Sequence, residues 1–96
     1  MERQVKMAAA KKLTSAQIRA ARALIRWSAQ LLARRSAVGV TTIRRAELTD
    51  EETSMTVAND RAIRRMLEEA GVEFIEENGG GPGVRLKKRP DPGRAA

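Results

Sequence analysis

The chain contains neither histidine nor cysteine in its 96 residues. These residue types supply the commonest general base, the thiolate nucleophile and the usual zinc ligands. A catalytic site would have to use carboxylates, lysine or hydroxyl groups alone, and no motif arranges them for catalysis. We therefore expect a protein that is not an enzyme and that has no catalytic residues, no metal site and no cofactor.

Aromatic residues and long apolar runs are also scarce. Trp27 and Phe74 are the only aromatic residues, too few to form a platform that stacks single-stranded nucleic acid, and we expect both in the core. The longest uncharged run is the eight residues Ser36–Ile43, far too short to span a membrane. The apolar patch at residues 7–10 is shorter than a signal-peptide core. These features predict a cytoplasmic bacterial protein with no membrane partner.

The net charge of +7 is unevenly distributed along the chain. Residues 1–45 carry eleven Lys or Arg against one acid, residues 46–83 carry three against ten, and residues 84–96 carry five against one. The local net charges are therefore +10, −7 and +4. A basic first half indicates a surface for a polyanion, and the acidic middle indicates a surface with another role. The alternative is a mixed charged surface that only maintains solubility.

Capping residues and apolar periodicity predict two helices in the basic half. Thr14 and Gln17 have the spacing of a capping box at the start of a helix that runs from Ser15 to about Arg26. Ser28 is a suitable N-cap for a second helix over Ala29–Ser36.

Two further helices follow. Val40–Glu47 has its apolar residues on one side and forms the third helix, although its β-branched residues require tertiary support. Ser54 or Thr56 caps a fourth helix whose apolar stripe continues to Ala70. Gly71 then ends this helix.

The last third of the chain changes to an alternating pattern. It predicts a β-hairpin that pairs Val72–Glu77 with Val84–Lys88 across the turn NGGGPG. The glycines could instead form a phosphate-binding loop, but no helix follows them. The chain thus divides into a flexible basic arm (1–12), a helical domain (13–71), the hairpin (72–88) and a disordered tail (89–96).

The second and third helices, joined by the three-residue corner 37–39, have the spacing of a DNA-binding helix-turn-helix. Ala33 is small enough to let the third helix approach the second. Apolar residues stand where the angle between the helices must be locked: Leu32, Val38, Ile43 and Ala46.

The segment LTSAQIRAARALIRWSAQLLARRSAVGVTTIRRAE resembles the lambda-repressor-like, Xre-family helix-turn-helix domain. The matching positions are Leu13, Thr14, Gln17, Arg19, Ala20, Ala21, Arg22, Trp27, Ser28, Leu32, Ala33, Val38, Thr42, Ile43 and Glu47. The following segment IRRMLEEAGVEFIEENGGGPGVRL resembles the fourth helix and C-terminal hairpin of short bacterial members. The resemblance covers about residues 13–88 and implies a mainly α fold, in which a four-helix lambda-repressor-like domain carries a C-terminal β-hairpin.

This resemblance implies a sequence-specific transcriptional regulator whose third helix, about Val40–Glu47, enters the major groove of double-stranded DNA. Arg44 or Arg45 would hydrogen-bond to guanine, and the methyl groups of Val40 and Thr41 would contact thymine. Arg34, Arg35 and the Lys11–Lys12 arm would bind phosphates. The complete set of candidate DNA-binding residues is Gln30, Arg34, Arg35, Val40, Thr41, Thr42, Arg44 and Arg45.

Several positions depart from the family pattern and motivate an alternative function. Ala29 replaces the usual Gln at the start of the second helix, with Gln30 one place later. Ala37 replaces the usual Gly of the corner, and Gly39 replaces the usual Ser or Thr cap. Leu48 and an acidic stretch follow the third helix. The alternative is a protein-binding module, such as an anti-activator, whose partner is a regulatory protein.

We also expect a homodimer, because one such domain covers little DNA and regulators of this kind generally bind two half-sites. The exposed edge of the hairpin is the expected dimer surface. The hairpin could instead serve only to close the core of its own protomer.

Overall fold

The computed structural model describes residues 11–49 and 52–87, and in them the chain forms four helices followed by a two-stranded antiparallel sheet. The mainly α fold with a C-terminal hairpin is therefore confirmed. Of the predicted arm and tail, residues 1–10 and 89–96 lie outside the described part. The elements are α1 (Ser15–Ile25), α2 (Ala29–Ser36), α3 (Val40–Glu47), α4 (Val57–Glu69), β1 (Val72–Ile75) and β2 (Gly83–Leu86).

The helices begin at the capping residues that the sequence indicates. The backbone N–H of Gln17 donates to Thr14 Oγ1 at 3.1 Å, and Thr14 N–H donates to Gln17 Oε1 at 2.9 Å, so the capping box is complete. Ser28 caps α2 through the N–H of Leu31, and Thr56, rather than Ser54, caps α4. Each cap satisfies a first-turn N–H group that would otherwise lack a partner.

The corner between α2 and α3 keeps a left-handed residue although that residue is not glycine. Ala37 has φ 62° and ψ 24°, a conformation that costs an L-residue about 1 kcal/mol relative to glycine. Gly39 then takes the N-cap position of α3 without a side-chain hydrogen bond. Val38, between them, is 4% exposed and packs into the core. Burial of Val38 accounts for the retention of this turn.

The core lies where the four helices and the hairpin converge. Its fully buried large side chains are Leu13, Ile18, Leu32, Ile43, Ile63, Leu67 and Val72. Trp27 and Phe74 are partly buried against this cluster. An arginine lies over each ring, with Arg35 Cζ and Arg64 Cζ both 5.4 Å from the ring centroids. Each guanidinium therefore covers the outer face of a ring that the core leaves open.

The hairpin is shorter than the sequence indicates. Its register pairs Val72 with Leu86 and Ile75 with Gly83, so β1 ends at Ile75 instead of Glu77. The predicted strand starting at Val84 begins one residue earlier, and its predicted end, Lys88, lies outside the described residues. The early end of β1 follows from the partner strand, because β2 begins at Gly83, the residue opposite Ile75.

The hairpin packs on α1 and α4. Gln17 makes the polar part of this contact, because its Nε2 donates to the carbonyl of Gly83 at 3.0 Å. Gly71 has φ 109° and turns the chain from α4 into β1. Within the described ranges, no helix has the length and hydropathy needed to cross a membrane.

A buried carboxylate joins the beginning of α1 to α4. Asp60 is 4% exposed, and its Oδ1 accepts the N–H of Leu13 at 2.9 Å. Burial raises the pKa of Asp60 above its ordinary value, although the hydrogen bond from Leu13 and the charge of Arg64 act in the opposite direction. The carboxylate is therefore a hydrogen-bond acceptor held at some electrostatic cost.

We predict that Ala37→Gly stabilises the protein by about 0.5–1 kcal/mol, because glycine relieves the left-handed strain at an exposed position. Ala33→Gly, inside α2, is the matched control and lowers the stability by about 0.5–1 kcal/mol. Urea unfolding followed by circular dichroism measures both changes. An Ala37→Gly variant less stable than the wild type would contradict the claim that the left-handed conformation strains Ala37.

We predict that Asp60 makes the wild type less stable relative to Asp60→Asn as pH rises from about 3 to 7. The unfolded carboxyl loses its proton near its ordinary pKa, about 3.9, whereas the folded one retains it to higher pH because its pKa is raised. Rising pH therefore favours the unfolded state. Paired urea titrations at several pH values measure the difference.

Glu73→Gln is the control for this titration. A hydrogen bond from Arg85 lowers the pKa of Glu73, so its stabilising contribution is lost as pH falls. The two comparisons should therefore slope in opposite directions. A flat or reversed difference between the wild type and Asp60→Asn would refute the role assigned to burial.

Candidate nucleic-acid interface

Helix α3 has one buried side and one charged side. Ile43, Ala46 and Glu47 are buried. Thr41, Arg44 and Arg45 are exposed, and their spacing of three and four residues places them on one face of the helix. None of the ion pairs found in the described residues includes Arg44 or Arg45. This face therefore presents two guanidinium groups and a hydroxyl to solvent.

The buried Glu47 fixes the end of α3 to α1. Arg22 Nε lies 2.7 Å from Glu47 Oε2, and Arg22 Nη2 lies 2.7 Å from Glu47 Oε1. The remaining nitrogen, Nη1, donates to the carbonyl of Trp27 at 2.8 Å. The hydrogen bond with Glu47 raises the pKa of the Arg22 guanidinium. One side chain thus joins α1, the turn before α2, and the last turn of α3.

Two further α1 side chains bind the carbonyls at the end of α3. Arg19 Nη1 donates to the carbonyl of Glu47 and to Ser15 Oγ. Ser15 Oγ lies 2.5 Å from the carbonyl of Thr49. The last carbonyls of a helix have no partner inside it. Arg19 and Ser15 therefore support the orientation of α3, and the guanidinium of Arg19 adds positive charge near its C-terminus.

The candidate residues on α2 are exposed. Gln30 lies at the start of the helix beside Ala29, which is buried. Arg34 and Arg35 lie in its last turn. The guanidinium of Arg35 is over the Trp27 ring, which fixes its position near the surface. Because α2 packs against α3, these residues flank the charged face of α3.

Two candidate residues of α3 turn partly inward. Val40 is half-buried and packs against the core. Thr42 is also half-buried and lines a hollow of about 210 Å³ with Arg45, Met55 and Asn59. The structure therefore brings Thr41, Arg44 and Arg45 together on the open surface but leaves Val40 and Thr42 at its margins.

The two lysines at the beginning of the described chain differ in their environment. Lys12 is anchored, because its Nζ donates to the carbonyl of Met55 at 2.8 Å and to that of Thr53 at 3.4 Å. Lys11 is exposed, and its carbonyl accepts a hydrogen bond from Arg64. The ammonium group of Lys12 therefore binds carbonyls of the loop before α4.

Sequence reasoning missed two features near α3. The first is the ion pair of Arg22 with Glu47, since the two residues are 25 positions apart and no local pattern joins them. The second is Leu48, which is 82% exposed just after α3. Its place between a basic helix and an acidic loop was visible in the sequence and indicated exposure. Among residues 11–49 and 52–87, no cluster of acidic side chains could hold a metal ion.

No family model matches this chain, and no curated protein matches it at a significant level.

We predict that Glu47→Ala lowers the stability by about 3 kcal/mol, because removal of one partner leaves the other charge poorly solvated. Arg22→Ala has an effect at least as large, because it leaves Glu47, whose side chain is only 10% exposed, without its partner and also removes the hydrogen bond to the carbonyl of Trp27. A double-mutant cycle by urea unfolding measures the coupling between them.

The exposed pair Glu73–Arg85 is the control for this cycle, since its side chains are 43% and 63% exposed. Its coupling should be much weaker because solvent screens both charges. Equal coupling in the two pairs would contradict the proposed importance of burial.

Proposed function

We propose that this protein is a sequence-specific DNA-binding transcriptional regulator built on a lambda-repressor-like helix-turn-helix domain. The observation that carries the proposal is the exposed face of α3, where Thr41, Arg44 and Arg45 stand together on a helix held by buried contacts. An α-helix with such a face fits the major groove of duplex DNA. The site of action is the bacterial cytoplasm.

In this proposal α3 reads the bases. Arg44 and Arg45 each offer several N–H donors in a planar group that matches O6 and N7 of guanine. Thr41 offers a hydroxyl and a methyl group, which suit a neighbouring base. Rigid support of α3 matters because a side chain reads a base edge only when its backbone is held in a fixed position.

The arginines of α2 bind the DNA backbone in the same arrangement. Arg34 and Arg35 are exposed at the end of the helix that packs on α3. Their charges attract phosphates without regard to sequence and release bound counterions, so affinity falls as salt rises. Gln30, at the other end of α2, adds an uncharged hydrogen-bonding group. No cofactor is required for this binding.

The corner geometry supports the proposal as well. Ala37 retains the left-handed conformation, so the turn between α2 and α3 is kept without glycine. Glu47 adds no acid to the exposed face, because it is 9% exposed and paired with Arg22. The altered corner and the acidic residue Glu47 therefore give less support to the alternative function than the sequence alone indicated.

The second candidate is a protein-binding module that regulates a transcription factor. Leu48 favours it, because an 82% exposed leucine next to charged residues is an apolar contact that a protein partner would bury. In this function Leu48 anchors the partner, and the arginines of α3 pair with acidic residues around it.

We predict that Arg44→Ala/Arg45→Ala weakens binding to duplex DNA from upstream of the protein's own gene by about tenfold or more, because each guanine contact contributes about 1–3 kcal/mol. Fluorescence anisotropy with labelled DNA measures the dissociation constant at several salt concentrations. The control is Arg61→Ala/Arg65→Ala, which removes the same charge from exposed positions on α4.

The two variants separate specific reading from general attraction. If the proposal holds, the α3 variant loses selectivity for the upstream DNA over a scrambled duplex, whereas the α4 variant retains it. Equal losses in both variants, or equally weak wild-type binding to every duplex, would reject the proposal. In that case, binding to a transcription factor that Leu48→Lys abolishes would identify the second candidate.

A further inference from the structure

The outer edge of β2 has backbone groups that its own hairpin does not use. Lys87 N–H donates to the carbonyl of Gly71 at 2.7 Å, which identifies this opposed pair as hydrogen-bonded. Hydrogen-bonded pairs alternate with non-hydrogen-bonded pairs along an antiparallel ladder. The backbone N–H and C=O of Arg85 therefore also bond inward, to the backbone of Glu73. The N–H and C=O groups of Val84 and Leu86 consequently point outward.

This edge remains open in the part of the chain that the structure describes. No backbone or side-chain hydrogen bond from another element reaches the N–H or C=O of Val84 or Leu86 there. Leu86 is 52% exposed, and with Leu24, 40% exposed, it lines a groove of about 460 Å³ between α1 and α4. An open strand edge beside exposed leucines is a site for pairing with another strand.

We propose that this edge pairs antiparallel with β2 of a second copy of the chain, about a two-fold axis at Arg85. This register is symmetric, because Val84 faces Leu86 of the partner and Leu86 faces Val84 of the partner. Both are residues with outward backbone groups, so this arrangement forms four hydrogen bonds between the strands. Pro82, which lacks an N–H, ends the ladder on one side.

Charge complementarity favours a second copy over an unrelated strand. The register sets the two Arg85 side chains opposite each other, which alone would be repulsive. Each guanidinium already binds its own Glu73, with N–O distances of 3.1 and 3.2 Å, so the facing groups are neutral pairs. The groove is also lined by Glu68, Glu69 and Lys87, so the same surface of two copies offers charges of both signs.

The product is a continuous four-stranded sheet, which is a more stable unit than an isolated hairpin. Neither α2 nor α3 packs substantially against the hairpin, so their exposed faces stay open in this dimer. This strand pairing extends the proposed function, because a regulator of this kind is expected to bind DNA as two copies. The pairing depends on the proposed function only for its biological use. Its test contains no DNA, and the two failures are therefore distinguishable.

Sedimentation equilibrium of the full chain tests the association. We expect a mass of about 21 kDa, twice the 10.6 kDa of one chain, and a return to one chain mass in Leu86→Lys, because an edge lysine opposes strand pairing. Val57→Lys is the matched control, since Val57 is 54% exposed on α4; this variant should remain dimeric. A wild type that stays monomeric at about 100 μM, or a Leu86→Lys variant that stays dimeric, would overturn the proposal.

Cysteine cross-linking tests the register, because the natural chain has no cysteine. Opposed residues of a non-hydrogen-bonded pair lie about 4.5 Å apart between Cα atoms, within disulfide range. Arg85→Cys should therefore form a disulfide-linked dimer under mild oxidation, whereas Glu73→Cys, one strand further from the axis on the same face, should not. Equal cross-linking of the two variants, or none in Arg85→Cys, would refute this register.

Discussion

The bidentate ion pair between Arg22 and Glu47 is the contact on which the arrangement of the first three helices depends. Its four polar atoms meet at 2.7 Å with Glu47 almost fully covered, and the same arginine binds the carbonyl of Trp27. A buried pair of this kind offers little net stability over apolar packing, but neither partner tolerates loss of the other. It therefore fixes the orientation of α3 more than it adds to the stability of the fold.

With α3 fixed in this way, the surface divides into regions of different character. The exposed sides of α2 and α3 are basic, whereas the groove beside the hairpin combines apolar side chains with charges of both signs. The anchoring of Lys12 by the loop before α4 belongs to neither region and ties the beginning of the helical domain to its last helix. Nucleic-acid binding and self-association can thus use separate surfaces of one small domain.

Much of the fold could be predicted because its signals are local. The capping box of Thr14 with Gln17 and the stop at Gly71 each depend on residues within one turn, so the bounds of the helices can be predicted closely. The site was less predictable, because Thr42 and Val40 turn partly inward through contacts with distant residues. The end of β1 at Ile75 depends on where the opposite strand begins, at Gly83. The function of the α3 face stays a prediction, since sequence and shape describe a surface but no bound molecule.

Amide chemical shifts of the labelled protein during titration with duplex DNA from upstream of its gene test the central claim most directly. The account predicts the largest changes at Thr41, Arg44 and Arg45, with smaller changes at Arg34 and Arg35. The glycines of the hairpin turn, Gly79 to Gly81, should keep their shifts. Changes confined to the hairpin, or small uniform changes over all basic residues, would contradict the assignment of α3 as the helix that reads DNA.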